Sequence, residues 1–182
     1  MALYLIELTA TTADRSAVEA AISEVGRQAA ALGGELIESQ VTGDLSRVYV
    51  VIEAGSCAGL SLDREALPGI SSIAGPDEVR LVGAGIEEVK AAKRTVDYLV
   101  EWDIPADIGM EDYLARKKAK APLYAKVPEV SFLRTYVRED TSKCLCLYDG
   151  PGESAVRRAR EAVSTPVSRL YALDRGPGGE TE

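Results

Sequence analysis

Histidine is absent from all 182 residues of the chain. That removes the usual general base near neutral pH, the commonest imidazole metal ligand and the proximal ligand of globins and peroxidases. Basic charge is also scarce, with 21 Lys and Arg against 29 Asp and Glu and a net charge of -8. Such a balance disfavours phosphate backbones and anionic lipid, so neither nucleic acid nor a membrane is expected as a partner. The deficit is concentrated early: residues 1–96 hold 8 basic and 14 acidic side chains. No apolar run reaches the ~18 to 20 residues needed to span a bilayer. The amino terminus enters a strand pattern with no basic, cleavable leader, and a cytoplasmic protein is expected. Three cysteines, Cys57, Cys144 and Cys146, are an odd number that does not suggest a disulfide framework, so reduced thiols are expected.

What the chain does have is an approximate internal repeat. Tyr4-Leu5-Ile6-Glu7 returns as Tyr98-Leu99-Val100-Glu101, and Asp44-Leu45-Ser46-Arg47 returns as Asp140-Thr141-Ser142-Lys143. In the first copy, the spacing predicts a strand over 3–8 and a helix over 15–32 behind the capping run Thr11 to Asp14. Strands over 35–41 and 47–54, a weaker helix over 60–67 and a strand over 78–82 follow. The second copy predicts strands over 97–102, 130–137 and 143–148, a helix over 110–120, a helix over 153–163 and a strand over 168–173. A strand, helix, strand, strand, helix, strand order is the ferredoxin-like arrangement, with an antiparallel sheet and both helices on one face.

The expected fold class is therefore α+β: two tandem ferredoxin-like βαββαβ units packed sheet to sheet as a pseudo-dimeric α+β barrel. The expected divisions are a diverged unit over 1–84, a linker over 85–96, a second unit over 97–175 and a frayed tail over 176–182. The linker carries a possible short helix through Val89, Ala92 and Lys93.

Residues 97–173 resemble a family of small bacterial ferredoxin-like proteins of poorly defined function, one member of which is described as nickel-binding. The resemblance is carried by Tyr98-Leu99-Val100-Glu101, Leu133-Arg134-Thr135-Tyr136-Val137, the run Lys143 to Pro151, and Glu153-Ser154-Ala155-Val156. Residues 3–83 match only through Tyr-Leu-Ile-Glu and the hairpin. The resemblance implies a metal-binding role, for which histidine would be the expected ligand.

Strand parity assigns candidate site residues. Glu7, Glu38, Gln40, Tyr49 and Glu53 are expected on the open face of the first unit. Glu101, Arg134, Tyr136 and Asp149 are expected on that of the second, with Phe132, Leu145 and Leu147 as apolar walls. Carboxylates crowded in a poorly hydrated cavity gain a raised pKa and can serve as acid or base without histidine. The leading functional reading is thus a cofactor-independent isomerase, cyclase or lyase acting on a small molecule. In it Glu7 and Glu101 transfer protons, Arg134 holds an oxyanion or carboxylate, and Tyr49 and Tyr136 donate hydrogen bonds. The competing reading of Glu7 and Glu101 is structural, as ion-pair partners of Arg134 or caps on backbone amides.

The rival function is a non-catalytic small-molecule or metal-binding protein. No cofactor is expected, and homo-oligomerisation stays open. Cys144 and Cys146 should share a strand face about 7 Å apart along the backbone, spaced as two soft metal ligands or as ordinary core residues. Arg116-Lys117-Lys118-Ala119-Lys120 reads as the solvated side of a helix, and Tyr113 and Tyr124 read as packing residues.

Overall fold

The structure, a computed structural model, describes residues 1–92 and 96–176. The expectations for Lys93 and for residues 177–182 lie outside the described residues. Two units separate. Unit 1 draws on Met1–Val79, Ile86–Ala92 and residues 174–176; unit 2 draws on Arg80–Gly85 and on residues 96–173.

Unit 1 contains β1 (Ala2–Ala10), α1 (Arg15–Ala31), β2 (Glu35–Val41), β3 (Arg47–Ala54), most of β4 (Ile70–Val82) and α2 (Ile86–Ala91). Its strands are antiparallel in the order β2-β3-β1-β4. Asp14 starts α1 by accepting from the Ser16 and Ala17 amides at 2.9 and 3.3 Å. Val18, Ala21, Val25 and Ala29 form the buried stripe of α1, and they meet Tyr4, Ile6 and Leu8 of β1 and Val48, Val50 and Ile52 of β3. At roughly 2 kcal/mol for each large apolar side chain, this face is the main stabilising contact of the unit.

The helix expected over 60–67 is not there. Two short 3-10 turns, Cys57–Gly59 and Arg64–Ala66, take its place. Pro68 would end any helix here within two turns of Leu60. Asp63 meanwhile caps the second turn through the Glu65 amide at 3.0 Å. Gln28 of α1 accepts from the Asp63 amide at 2.7 Å and fixes the segment in a non-helical path. Leu60 and Leu67 still reach the core, so their helical spacing reflects burial without a helix. The last strand also begins earlier than the expected Glu78. It absorbs Gly75-Pro76 at a register shift between Leu5 and Glu7. Only glycine fits at 75, where φ is 99° and a Cβ would stand 2.6 Å from the Leu5 carbonyl oxygen.

Unit 2 contains β5 (Tyr98–Asp103), α3 (Met110–Lys120), a 3-10 segment (Ala121–Lys126), β6 (Ser131–Arg138), β7 (Lys143–Asp149), α4 (Glu153–Ala162) and β8 (Arg169–Ala172). The order β6-β7-β5-β8 is again antiparallel and ferredoxin-like, with the first strand of the unit inside the sheet. Val100, Trp102, Cys144, Cys146 and Tyr148 face the helices and pack on Tyr113, Ala155, Val156 and Ala159. Among the described residues, no helix is long and apolar enough to cross a membrane.

The two hairpins are built alike. Asp44 accepts from the Ser46 amide at 3.0 Å and from the Ser46 and Thr42 hydroxyls at 2.7 Å. Asp140 accepts from the Ser142 amide and hydroxyl at 2.9 and 2.6 Å. Each aspartate is followed by a left-handed residue, Leu45 at φ 61° and Thr141 at φ 56°. The Ser46 and Ser142 hydrogen bonds hold the Asp44 and Asp140 carboxyls below the ordinary range. A depressed folded value means stability that is complete above the unfolded Asp pKa of about 3.9 and lost as pH falls below it. Asp140→Ala should therefore flatten the acid limb of a stability-against-pH curve measured by denaturant titration. Thr141→Gly relieves a β-branched residue at positive φ and should raise stability by up to about 1 kcal/mol in the same assay.

Candidate functional site

The expected carboxylate sets are only partly what the fold delivers. In unit 1, β1 pairing sets Glu7 opposite Tyr49, and β2 pairing sets Gln40 opposite Tyr49 and Glu38 opposite Val51. Glu7, Glu38, Gln40, Tyr49 and Glu53 therefore share the face away from α1. Gln40 donates to Glu38 at 2.9 Å, and Lys90 of α2 binds Glu53 at 2.8 Å and Glu35 at 3.0 Å. Glu53 is thus tied into a cation bridge between α2 and the sheet edge.

In unit 2, Glu101, Arg134, Tyr136, Leu145 and Leu147 share the face away from the helices, Tyr136 lying opposite Leu145 and Arg134 opposite Leu147. Phe132 does not join them. A bulge between Phe132 and Arg134 inserts one residue and reverses parity, which puts the Phe132 ring on the helix side. There it stacks on Tyr124 at 5.5 Å and meets Tyr148 edge-on at 5.7 Å, with the Lys117 ammonium 4.3 Å from its centroid. Gly83, at φ 93°, makes room for it: a Cβ there would stand 2.7 Å from the ring.

Glu101 is 1% exposed. Lys143 donates to it at 3.4 Å, and Arg169 of β8 donates to its other oxygen while gripping Asp103 at 2.5 and 2.9 Å. The partners of this carboxylate thus include a lysine and an arginine that sequence parity did not supply, one from the neighbouring β7 and one from β8. Arg169 holds the Asp103 carboxyl below its ordinary value. Glu101 is thus ion-paired at both oxygens, as a structural role would require, through Lys143 and Arg169. Glu101→Gln should cost about 2 kcal/mol in chemical denaturation, since it removes a buried charge that both Lys143 and Arg169 bind. A near-zero cost would remove that structural assignment.

A second cluster lies on the helix side of unit 2, where Trp102, Tyr113, Arg116, Lys117, Lys120, Tyr124, Cys144 and Arg160 line a cavity of about 30 Å³ with Ala121, Val163 and Thr165. Four of the 11 lining residues are cations and none is a carboxylate, in a chain of net charge -8. The Arg116 guanidinium lies 6.0 Å from the Trp102 ring centroid, and Lys117 lies 5.9 Å from that of Tyr113. These cations were expected to be merely solvated. The helix turns three of them towards the cavity.

Arg160 of α4 lines the cavity and is 2% exposed. Its guanidinium donates to Tyr148 at 3.1 Å, to the Cys146 sulfur at 3.4 Å and to the Pro166 carbonyl at 2.7 Å. Its Nε has no hydrogen-bond partner among the described residues. The Tyr148 hydroxyl also pairs with Tyr124 at 2.7 Å. Thr135 donates to Cys146 at 3.0 Å, and the Cys144 and Cys146 sulfurs are 3.9 Å apart. The Cys144 hydrogen bond, together with Lys117, Arg160 and Thr135, holds the Cys146 thiol below its ordinary range against the effect of burial. Cys144, hydrogen-bonded to that sulfur and buried, is pushed up, as burial also pushes up Tyr113 and Tyr148. One signal in the sequence could have revealed the cluster. Arg160 falls on the apolar stripe of α4, beside Val156 and Ala159, where a charge needs a reason.

Comparison with known proteins defines the class first. A solved structure provisionally named a chlorite dismutase superposes with a TM-score of 0.57 at 14% identity, covering 97% of this chain and 97% of that one. A provisionally named monooxygenase from Lactobacillus acidophilus gives a TM-score of 0.50 at 14% identity, covering 96% and 94%. At such identity they establish the fold alone: α+β, with antiparallel sheet and ferredoxin-like units. Residues 98–172 then match the model of a family described as nickel responsive protein, SCO4226-like. Curated proteins give no match.

The donor set does not fit a nickel centre. The chain has no histidine, and among the described residues no group of three or more Cys, Asp and Glu is placed to hold a metal ion. The paired thiols lie beside four cations, which oppose a divalent cation.

Proposed function

We propose that the protein binds a small anionic molecule in the cationic, aromatic pocket of unit 2. The observation that carries this reading is charge: Arg116, Lys117, Lys120 and Arg160 surround the cavity with no carboxylate among its lining residues. A cleft lined by one sign of charge raises the local concentration of the opposite ion. Trp102, Tyr113 and Tyr124 supply flat apolar walls for the body of the ligand. The likeness to the fold of enzymes acting on small molecules is compatible with this reading but does not carry it.

The site brings its own reporter, because Trp102 is the single tryptophan. Titration with maleate at low ionic strength should change its emission saturably, and Arg116→Gln with Lys120→Gln should weaken the effect about tenfold, or about 1.4 kcal/mol. Nickel(II) should leave the emission unchanged. An unresponsive Trp102 under maleate would defeat the reading.

A second reading retains carboxylate acid/base chemistry, now resting on Glu7. It sits half-buried at the β1 register shift, opposite Tyr49, on a face shared with Glu38 and Gln40. Turnover lost in Glu7→Gln with an unchanged melting temperature would favour it. The matching strand orders and hairpin turns also support descent from one duplicated ferredoxin-like unit, with the 3-10 turns that stand in for a helix between β3 and β4 as the main divergence.

A further inference from the structure

We propose that Cys144 is a nucleophile at the floor of this pocket, that Cys146 takes its proton, and that the ligand class is a small carboxylate bearing an electrophilic carbon. The inference rests on the anion-binding reading above and adds a reaction to it. Cys144 lines the cavity while Cys146 lies behind it, 3.9 Å from the Cys144 sulfur. Cys146 is the better placed of the two to carry a negative charge, since Arg160 at 3.4 Å and Thr135 at 3.0 Å both donate to it. This answers the question that Arg160 poses. A guanidinium buried without a carboxylate is costly unless something balances it, and a thiolate at hydrogen-bond distance does so. The hydrogen bond from Cys144, with the nearby cations, holds the Cys146 thiol low, and the same contact with burial holds Cys144 high, consistent with one proton shared by the pair and resident on Cys144.

The arrangement then divides the work. Arg116, Lys117 and Lys120 hold the carboxylate of the ligand near the mouth, and its electrophilic carbon reaches Cys144. With an α,β-unsaturated carboxylate, the S–C bond forms as the C=C π bond breaks, and the proton passes from Cys144 through Cys146 to the α-carbon. With an α-halo acid, the C–halogen bond breaks, halide leaves, and the proton stays on Cys146. Neither step needs an oxidant, a metal or a cofactor.

Iodoacetate and iodoacetamide, the anionic and neutral forms of one alkylating group, test this on the intact folded chain. Peptide mass spectrometry follows the rate at each cysteine, and the exposed Cys57 serves as internal reference. The iodoacetate-to-iodoacetamide rate ratio should be about tenfold higher at Cys144 than at Cys57. Arg116→Gln with Lys120→Gln should collapse that preference. Cys146→Ser, which keeps an acceptor but no thiolate, should slow Cys144 alkylation about a hundredfold. If that variant does not fold, the rate ratio in the unaltered chain still decides. Labelling of Cys144 only on unfolding, or with no preference for the anion, overturns the proposal. Should that happen while maleate still shifts Trp102 emission, anion binding stands without the nucleophile. If maleate also has no effect, both readings fall.

Discussion

A guanidinium buried without a carboxylate needs its charge balanced by weaker partners, and the helix side of unit 2 is arranged to provide them. Arg160 on α4 reaches across to Tyr148 and Cys146 on β7 and to the carbonyl of Pro166 beyond its own helix. These bonds tie α4 to the sheet, orient Tyr148 against Tyr124, and place a second donor on Cys146 beside Thr135. The aromatic stack of Tyr124 and Phe132 and the cavity under α3 follow from the same arrangement. With a leucine in place of Arg160, the region would read as an ordinary apolar core with two inert thiols.

The opposite face of the same sheet resolves a buried charge differently. There Glu101 meets Lys143 and Arg169, so its charge is paired. On the helix side Arg160 donates to Cys146, and Cys144 lines the cavity. Residues 98–172 match a family described as nickel responsive, but the donors of a nickel centre are not gathered at the cavity. The residues that converge on the cavity are cations, aromatics and thiols, without histidine and without a third thiol or carboxylate.

Much of the framework was legible from residue order. The strand alternation of Tyr4 to Leu8 and Tyr98 to Trp102, the Asp14 cap and the repeated Asp-x-Ser hairpins are local signals, each set by bonds within a few residues. Local signals failed where a remote group intervened. Leu60 and Leu67 carry helical spacing, but Gln28 from α1 fastens Asp63 in an extended path. Phe132 has the parity of Arg134, but an inserted residue in the pairing with β7 turns it to the other face.

By itself the sequence determined the α+β class, the two first strands and their glutamates, the absence of imidazole chemistry and the acidic net charge, because composition and short-range periodicity do not depend on what packs against what. Only the tertiary structure decided that Glu101 lies between Lys143 and Arg169, and that Arg160, Cys146 and Tyr148 form one polar cluster. It likewise decided that Arg116, Lys117 and Lys120 turn to a cavity. The physical reason is that desolvation and charge balance are set by neighbours 12 to 68 positions apart, such as Arg160 and Tyr148 or Arg169 and Glu101, and no local pattern encodes which of them meet.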